Sequence, residues 1–293
     1  MNKLFLTLIS ILFSIHNSTA QKIQPTYKNI SYGPHQDMTL NFWKFESASP
    51  VPLLVHIHGG GWIGGKKNET ISPNELKKGY SFASIDYRLA GTELLPAAVH
   101  DAARAIQFLR TKAKEWNFNP ARIAVIGGSA GAASSLWLAY HDDMADPKSD
   151  DPVLRQSSRV CGAVAMGGQT TLDPFLLEKK IGPACIQHGM IWKTVGAKSI
   201  EDLMENWGQY KDLSLLCSPM THVSKDDPPV FLNYGKPAPI PVIKGDGIHH
   251  AGFGRLLKEK CKKMGIDCHL QVKGHETAKL TKDQFLRKIL FNK

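Results

Sequence analysis

Short apolar runs alternate with longer amphipathic segments along most of the chain. The runs are bounded by glycine or proline, which is typical of strands that are covered on both faces of a sheet. The central set of predicted strands is Pro52–Ile57, Ser81–Asp86, Ile123–Ile126, Val160–Met166, Val230–Tyr234 and Cys268–Val272. Earlier strand-like segments, Tyr27–Tyr32 and Thr39–Phe45, are expected at an antiparallel edge.

The segments between these strands have helical periodicity. Pro96 stands at a first helical position, and apolar residues follow at three- and four-residue spacing as far as Trp116. Further helices are predicted over Ser129–Tyr140, Phe253–Met264 and Thr281–Phe291. Because strands alternate with helices, the fold class is predicted to be α/β, with a mostly parallel, doubly wound sheet.

Two parts of the chain interrupt this alternation. Residues 171–227 are irregular and carry several prolines, so we expect a cap over the sheet there. At the N-terminus, Lys3 precedes a short apolar run and small residues that end at Ala20, which is the pattern of a signal peptide. We therefore predict a leader over 1–20, one domain over 21–293, and a secreted or periplasmic protein. A buried N-terminal helix is the alternative for the leader.

Composition narrows the range of partners. The 293-residue chain has a net charge of +10, but its basic residues are scattered and form no block of about five like charges, so no nucleic-acid partner is expected. No later run is long and apolar enough for a transmembrane helix, so no stable membrane insertion is expected. The five cysteines lack metal-ligand spacing, and no metal site is predicted. The oligomeric state stays open.

A Gly-Gly-Ser-Ala-Gly sequence at 127–131 carries the main chemical signal. It matches Gly-x-Ser-x-Gly, the sharp turn that presents a serine nucleophile between a strand and a helix. A predicted strand ends just before it and a predicted helix begins at Ser129, which is the context that this motif requires. The N–H of Ala130, at the helix N-terminus, is a candidate oxyanion donor. Ser129 is predicted as the nucleophile; a structural or phosphate-binding glycine turn is the alternative.

A His-Gly-Gly-Gly-Trp sequence at 58–62 follows another predicted strand. Gly60 and Gly61 can present backbone N–H groups with no side chain in the way of a substrate. Together with Ala130, they are predicted to form the oxyanion hole. His58 belongs to the loop and is expected to support it rather than to act as a base.

These motifs, with Asp-Tyr-Arg-Leu at 86–89, resemble the hormone-sensitive-lipase and carbohydrate-esterase branch of the α/β-hydrolases. The resemblance is strong over about residues 50–140 and looser over 228–290. It implies an eight-stranded α/β-hydrolase sheet, a Ser–Asp–His triad and hydrolysis of carboxylic esters without a cofactor. Within the branch, the chain is similar to exported esterases of the acetyl xylan or feruloyl type, so the expected partner is a small-molecule or polysaccharide ester.

The resemblance also orders the triad as serine, acid and histidine. His275 follows Cys268–Val272 and is predicted as the base, with His249 and His250 as the alternatives. The acid is expected soon after the seventh strand, but a Lys-Pro-Ala-Pro-Ile-Pro run stands there. The next carboxylate is Asp246, about 30 residues before His275, which leaves room for one helix and one strand. Asp246 is therefore predicted as the acid; a turn aspartate between glycines is the alternative.

The predicted function is that of an exported serine carboxylesterase. Ser129 attacks the ester carbonyl, His275 takes the proton and later activates water, and Asp246 orients the imidazole. The lack of an acid at its usual place supports an alternative, a catalytically inactive hydrolase-fold protein that binds glycans.

Overall fold

The computed structural model describes residues 22–244 and 247–292. Its strands are β1 Tyr27–Ser31, β2 Thr39–Trp43, β3 Val51–Ile57, β4 Ser81–Ile85, β5 Phe118–Gly128, β6 Ala163–Met166, β7 Val230–Tyr234 and β8 Cys268–Val272. They form one eight-stranded sheet in the order β1-β2-β4-β3-β5-β6-β7-β8. The pairs β1–β2 and β2–β4 are antiparallel, and the remaining pairs are parallel. The predicted fold class and its antiparallel edge are confirmed.

The helices follow the predicted alternation. They are α1 Pro73–Leu76, α2 Ala97–Trp116, α3 Ala130–Tyr140, α4 Pro174–Lys180, α5 Gly189–Trp192, α6 Ile200–Glu205, α7 Trp207–Leu216, α8 Gly252–Met264 and α9 Lys282–Phe291. The long helix α2 ends where Asn117 adopts the left-handed conformation. The next residue already belongs to β5, which therefore begins at Phe118 rather than at the predicted Ile123.

Alternate side chains of the central strands pack on opposite faces of the sheet. Leu53 and Val55 of β3 belong to the core shared with α2, α3 and α8, whereas Leu54 belongs to the core shared with α9. Burial on both faces explains why the strands read as continuous apolar runs.

Between β6 and β7 the chain makes a long excursion that contains the short helices α4 to α7. The proline-rich loop after β7 is joined to it, because the N–H of Val242 donates to Ile181 at 2.8 Å and the N–H of Ala184 donates to Val242 at 3.0 Å. The predicted cap, residues 171–227, lies within this excursion between β6 and β7. The predicted leader, residues 1–20, lies outside the described residues and stays a prediction.

The parallel strands bring their carboxyl ends to one edge of the sheet. The glycine loop at 58–62, the turn at Ser129 and the segments after β6 and β7 all leave from this edge. In open α/β sheets, ligands bind outside the carboxyl ends of the strands, so this edge is the place to look for a site.

Candidate active site

Ser129 lies on the sharp turn between β5 and α3. Its backbone has a φ of 54° and a ψ of −123°, a combination that residues with side chains rarely adopt. Its N–H donates to the carbonyl of Met166 at 2.9 Å. A Cβ at Gly131 would lie 2.1 Å from the carbonyl oxygen of Ile57, so only glycine allows α3 to approach β3 this closely. This strand–turn–helix geometry is that of a nucleophile elbow.

The hydroxyl of Ser129 is paired with the imidazole of His249. The distance from Oγ of Ser129 to Nε2 of His249 is 2.8 Å. His249 is exposed on the turn before α8, and its ring lies over Gly167, where a Cβ would be 3.5 Å from the Cδ2 of His249. A serine hydroxyl within hydrogen-bond distance of an imidazole is the arrangement in which the imidazole takes the serine proton.

His275 occupies a different place. It is exposed on the turn after β8, where its N–H donates to the carbonyl of Val272 at 3.0 Å. Strand β8 lies at one edge of the sheet, and β6 and β7 separate it from β5. The geometry therefore favours His249 over His275 as the partner of Ser129. In the sequence, the signal for His249 is a pair of histidines directly before a predicted helix. The prediction chose His275 instead because of its position after the last strand.

The predicted acid, Asp246, lies outside the described residues, and its assignment stays a prediction. His250, the remaining alternative base, is buried and has both ring nitrogens engaged. Its Nε2 donates to the carbonyl of Ala238 at 2.9 Å, and its Nδ1 accepts the N–H of Gly252 at 3.0 Å. His250 thus holds the proline-rich loop against the start of α8.

The glycine loop after β3 borders the same serine. A Cβ at Gly59 would lie 3.4 Å from the Cβ of Ser129. Gly60 and Gly61 have φ values of 108° and 64°, which favour glycine. Within the described part of the chain, neither of their N–H groups donates to another residue. Ala130, the third predicted donor, is the first residue of α3, where N–H groups lack intrahelical acceptors.

A family model named BD-FAE matches residues 42–244, more than half of the chain, including the glycine loop and Ser129. The chain belongs to the BD-FAE family. The matched region ends before Asp246 and His249. The family assignment agrees with the predicted α/β-hydrolase resemblance, which is confirmed.

Curated relatives of this BD-FAE chain carry esterase names. It is 25% identical over 222 residues to the probable carboxylic ester hydrolase LipM of Mycobacterium tuberculosis, covering 71% of this chain and 47% of that protein. It is 34% identical over 101 residues to the carboxylesterase NlhH of the same species, covering 33% of this chain and 32% of that protein. The chain spans about half the length of LipM and of the esterase LipQ.

Solved structures show the same fold. An acetyl ester-xyloside bifunctional hydrolase from Caldicellulosiruptor lactoaceticus superposes with a TM-score of 0.61 at 24% identity, covering 87% of this chain and 82% of that one. A truncated carbohydrate esterase from gut microbiota gives a TM-score of 0.66 at 20% identity, covering 84% and 86%. At these identities the likeness establishes the α/β-hydrolase architecture.

His58 supports the glycine loop of this BD-FAE domain through contacts with Gly59 and Tyr87. Its Nδ1 lies 2.7 Å from the carbonyl oxygen of Gly59, and its ring stacks on Tyr87 with centroids 4.2 Å apart. The hydroxyl of Tyr87 donates to the carbonyl of His58 at 2.8 Å. Burial lowers the pKa of His58, although its bond to Gly59 opposes the shift. A neutral, buried imidazole in stacked contact suits a supporting role.

The segment between β6 and β7 also approaches the glycine loop. A Cβ at Gly61 would lie 3.2 Å from Cε1 of His188. The Nδ1 of His188 accepts the N–H of Met190 at 3.1 Å, at the start of α5. His188 therefore limits the space beside Gly61, one of the predicted oxyanion donors.

Over residues 22–244 and 247–292, no group of three or more His, Cys, Asp or Glu side chains is placed to hold a metal ion. Over the same ranges, no helix is both long and apolar enough to cross a bilayer.

Proposed function

We propose that this chain is a serine carboxylesterase in which Ser129 is the nucleophile and His249 is the general base. The observation that carries the proposal is the 2.8 Å contact between Oγ of Ser129 and Nε2 of His249 at a strained strand-to-helix turn. The esterase names of the curated relatives support the same reaction class.

Acylation begins when the Ser129 hydroxyl attacks the ester carbonyl carbon and passes its proton to His249 Nε2. The carbonyl oxygen becomes an oxyanion, for which the N–H groups of Gly60, Gly61 and Ala130 are the proposed donors. Such a donor contributes about 3–4 kcal/mol to transition-state stabilisation. His249 then protonates the leaving alcohol, and the acyl group remains on Ser129.

Deacylation repeats these steps with water as the nucleophile. His249 takes a proton from water as the water oxygen attacks the acyl carbon, and the resulting tetrahedral intermediate collapses. The bond to Oγ of Ser129 breaks, His249 returns the proton to Oγ, and the carboxylic acid leaves. For Nε2 to accept the serine proton, the neutral imidazole must carry its own proton on Nδ1. An acid that accepts a hydrogen bond from this Nδ1–H would orient the ring. We propose Asp246, three residues before His249 in the sequence, for this role.

The proposed substrates are acyl groups carried by polysaccharides, and the proposed location is outside the cytoplasm. The substrate class is supported by the structural likeness to an acetyl ester-xyloside hydrolase and a carbohydrate esterase. The location is supported by the leader pattern at residues 1–20.

The test is hydrolysis of 4-nitrophenyl acetate and release of acetate from acetylated xylan, with Ser129→Ala as the decisive variant. We expect wild-type turnover on both substrates and loss of turnover in Ser129→Ala, with an unchanged circular dichroism spectrum. Turnover of the aryl ester alone would contradict the polysaccharide assignment. If the wild type hydrolyses neither these nor feruloyl esters yet binds xylan, the glycan-binding alternative is correct.

A further inference from the structure

The side chain of Gln169 joins the two backbone segments that flank the His249 ring. Its Nε2 donates to the carbonyl of Ile248 at 2.6 Å and to the carbonyl of Gly167 at 3.3 Å. Ile248 directly precedes His249, and the ring of His249 lies over Gly167. A glutamine amide has two N–H donors, one for each carbonyl. The Gln169 amide therefore links the segment after β6 to the turn that bears His249.

This link acts on a segment that lies outside regular secondary structure. Ile248 and His249 belong to neither a helix nor a strand, since α8 begins only at Gly252. Besides Gln169, the side chains of His250 and Thr170 form hydrogen bonds on this side of the site, and the N–H of His250 donates to the carbonyl of Gly247 at 3.1 Å. His250 follows His249 and bonds to Ala238 and Gly252, whereas Gln169 bonds to Ile248, the residue before His249, from the segment after β6.

One atom of the Gln169 side chain carries a cost in stability. This side chain is fully buried, and its Oε1 has no hydrogen-bond partner among the described residues. A buried acceptor without a partner lowers stability. Reversing the amide would not help, because Oε1 would then face the carbonyl oxygens of Gly167 and Ile248. An apolar side chain of the same size would remove the unpaired oxygen, and it would also remove the donor to Ile248.

We infer that Gln169 is a positioning residue that fixes the imidazole of His249 against Ser129. The inference rests on the proposed role of His249. The Gln169 amide holds the carbonyls on either side of the ring, and so keeps Nε2 of His249 at its short distance from the serine hydroxyl. Misplacing a catalytic group by about 1 Å can reduce turnover 100-fold, so a loosened turn is expected to lower kcat.

Thr170 provides a matched control from the next position in the chain. Its hydroxyl is also fully buried and donates to a backbone carbonyl of the same region, that of Phe253, at 2.8 Å. Phe253 lies within α8 and is further from His249 along the chain. Removing either hydrogen bond tests a buried anchor, but only Gln169 bonds to the residue adjoining the base.

The experiment compares Gln169→Met with Thr170→Val in the full chain. We expect Gln169→Met to lower kcat on 4-nitrophenyl acetate about 10-fold, with KM within about twofold of wild type. Its melting temperature should fall no further than that of Thr170→Val, because removal of the unpaired Oε1 offsets part of the cost of losing the two hydrogen bonds to Ile248 and Gly167. Thr170→Val should lower the melting temperature and leave kcat within about twofold. Equal losses of kcat in both variants, or none in Gln169→Met, would overturn the inference.

A second measurement separates this inference from the proposed function. The Cε1–H resonance of His249, assigned by comparison with His249→Gln, should shift or broaden in Gln169→Met and stay unchanged in Thr170→Val. This readout requires no turnover. If Ser129→Ala retains activity while the resonance responds as expected, the proposed function fails and the positioning role stands. If the resonance is unaffected, the positioning role fails whatever the activity.

Discussion

The two halves of the Ser129–His249 pair are supported in different ways. Around Ser129, the close approach of backbone segments sets the geometry, and a side chain at Gly131 would collide with the carbonyl of Ile57. Around His249, buried side chains reach across the chain, with Gln169 bonded to Ile248 across 79 positions. The nucleophile region should therefore be sensitive to added atoms, and the base region to the removal of polar groups.

The two regions therefore place different requirements on the sequence. A nucleophile elbow needs glycines at fixed offsets from the serine, so its requirements are written within a few residues. A turn held by distant side chains has no local signature, because its anchors lie in other elements.

The largest expected effect is that of replacing His249. His249→Ala should lower kcat on the order of 10⁶-fold, as removal of a catalytic histidine does in a serine hydrolase. His275→Ala, which alters an exposed turn beyond the edge strand, should leave kcat within about twofold of wild type. Steady-state kinetics with 4-nitrophenyl acetate measure both. The reverse result would mean that His275 moves to Ser129 during turnover and that the 2.8 Å contact is not the productive one.

The next largest effect is expected for Asp246→Asn. If Asp246 orients the imidazole, kcat should fall on the order of 10⁴-fold with little change in KM, because an orienting acid acts mainly on the transition state. Asp267→Asn is the control, since Asp267 pairs with Lys288 at 3.2 Å and His269 at 3.1 Å near β8. Near wild-type turnover in Asp246→Asn would assign the residue to the turn role that its glycine neighbours favour.

The fold was predictable where burial alone defines an element. The bounds of β7 and β8 follow from apolar runs between proline, glycine and charged residues, and the structure has them as predicted. Strand β5 begins earlier than its apolar run because Phe118 pairs with Val51 of β3. That extension passes through Pro120 and Arg122, residues that carry no strand signal of their own.

The candidate site divides in the same way. Ser129 and the glycine loop could be identified from spacing, since the motifs contain the residues that shape them. The partnership of His249 could not, because it depends on how the loop after β7 folds. That path is set by the bonds from His250 to Ala238 and from Gln169 to Ile248, between residues that no periodicity relates.

A smaller effect is expected from acidic pH, which should lower the free energy of unfolding through His56, near the nucleophile. Burial, followed by repulsion from His58 when both rings are protonated, lowers the pKa of His56 on β3 to about 4. Since this value is below the ordinary value of 6.5, the neutral form favours folding. Its contribution, up to about 3 kcal/mol, is complete above pH 6.5 and is lost as the pH falls towards 4. Urea unfolding at pH 8 and pH 4.5 should show this loss.

The control for that measurement is His56→Asn, whose amide can keep the 3.0 Å contact with the Ser84 hydroxyl without titrating. The variant should lose less free energy of unfolding between the two pH values than the wild type does. Part of the loss should remain, because burial also lowers the pKa of His58 and His100. An identical pH dependence in both proteins would show that His56 is protonated without cost in the folded state.

The smallest effect is expected at Tyr87, which supports the glycine loop without reaching Ser129. Tyr87→Phe removes the 2.8 Å bond to the carbonyl of His58 and leaves that buried oxygen without this donor. The loss should cost about 1 kcal/mol of stability. It should also lower kcat a few-fold, because His58 directly precedes the loop with the predicted oxyanion donors.

Tyr80→Phe removes a comparable 3.0 Å bond to Glu75, on the face covered by α9. Because that bond is remote from the loop, Tyr80→Phe should cost similar stability and leave kcat unchanged. If both variants lower kcat equally, the loop depends on general rigidity of the sheet rather than on its own support.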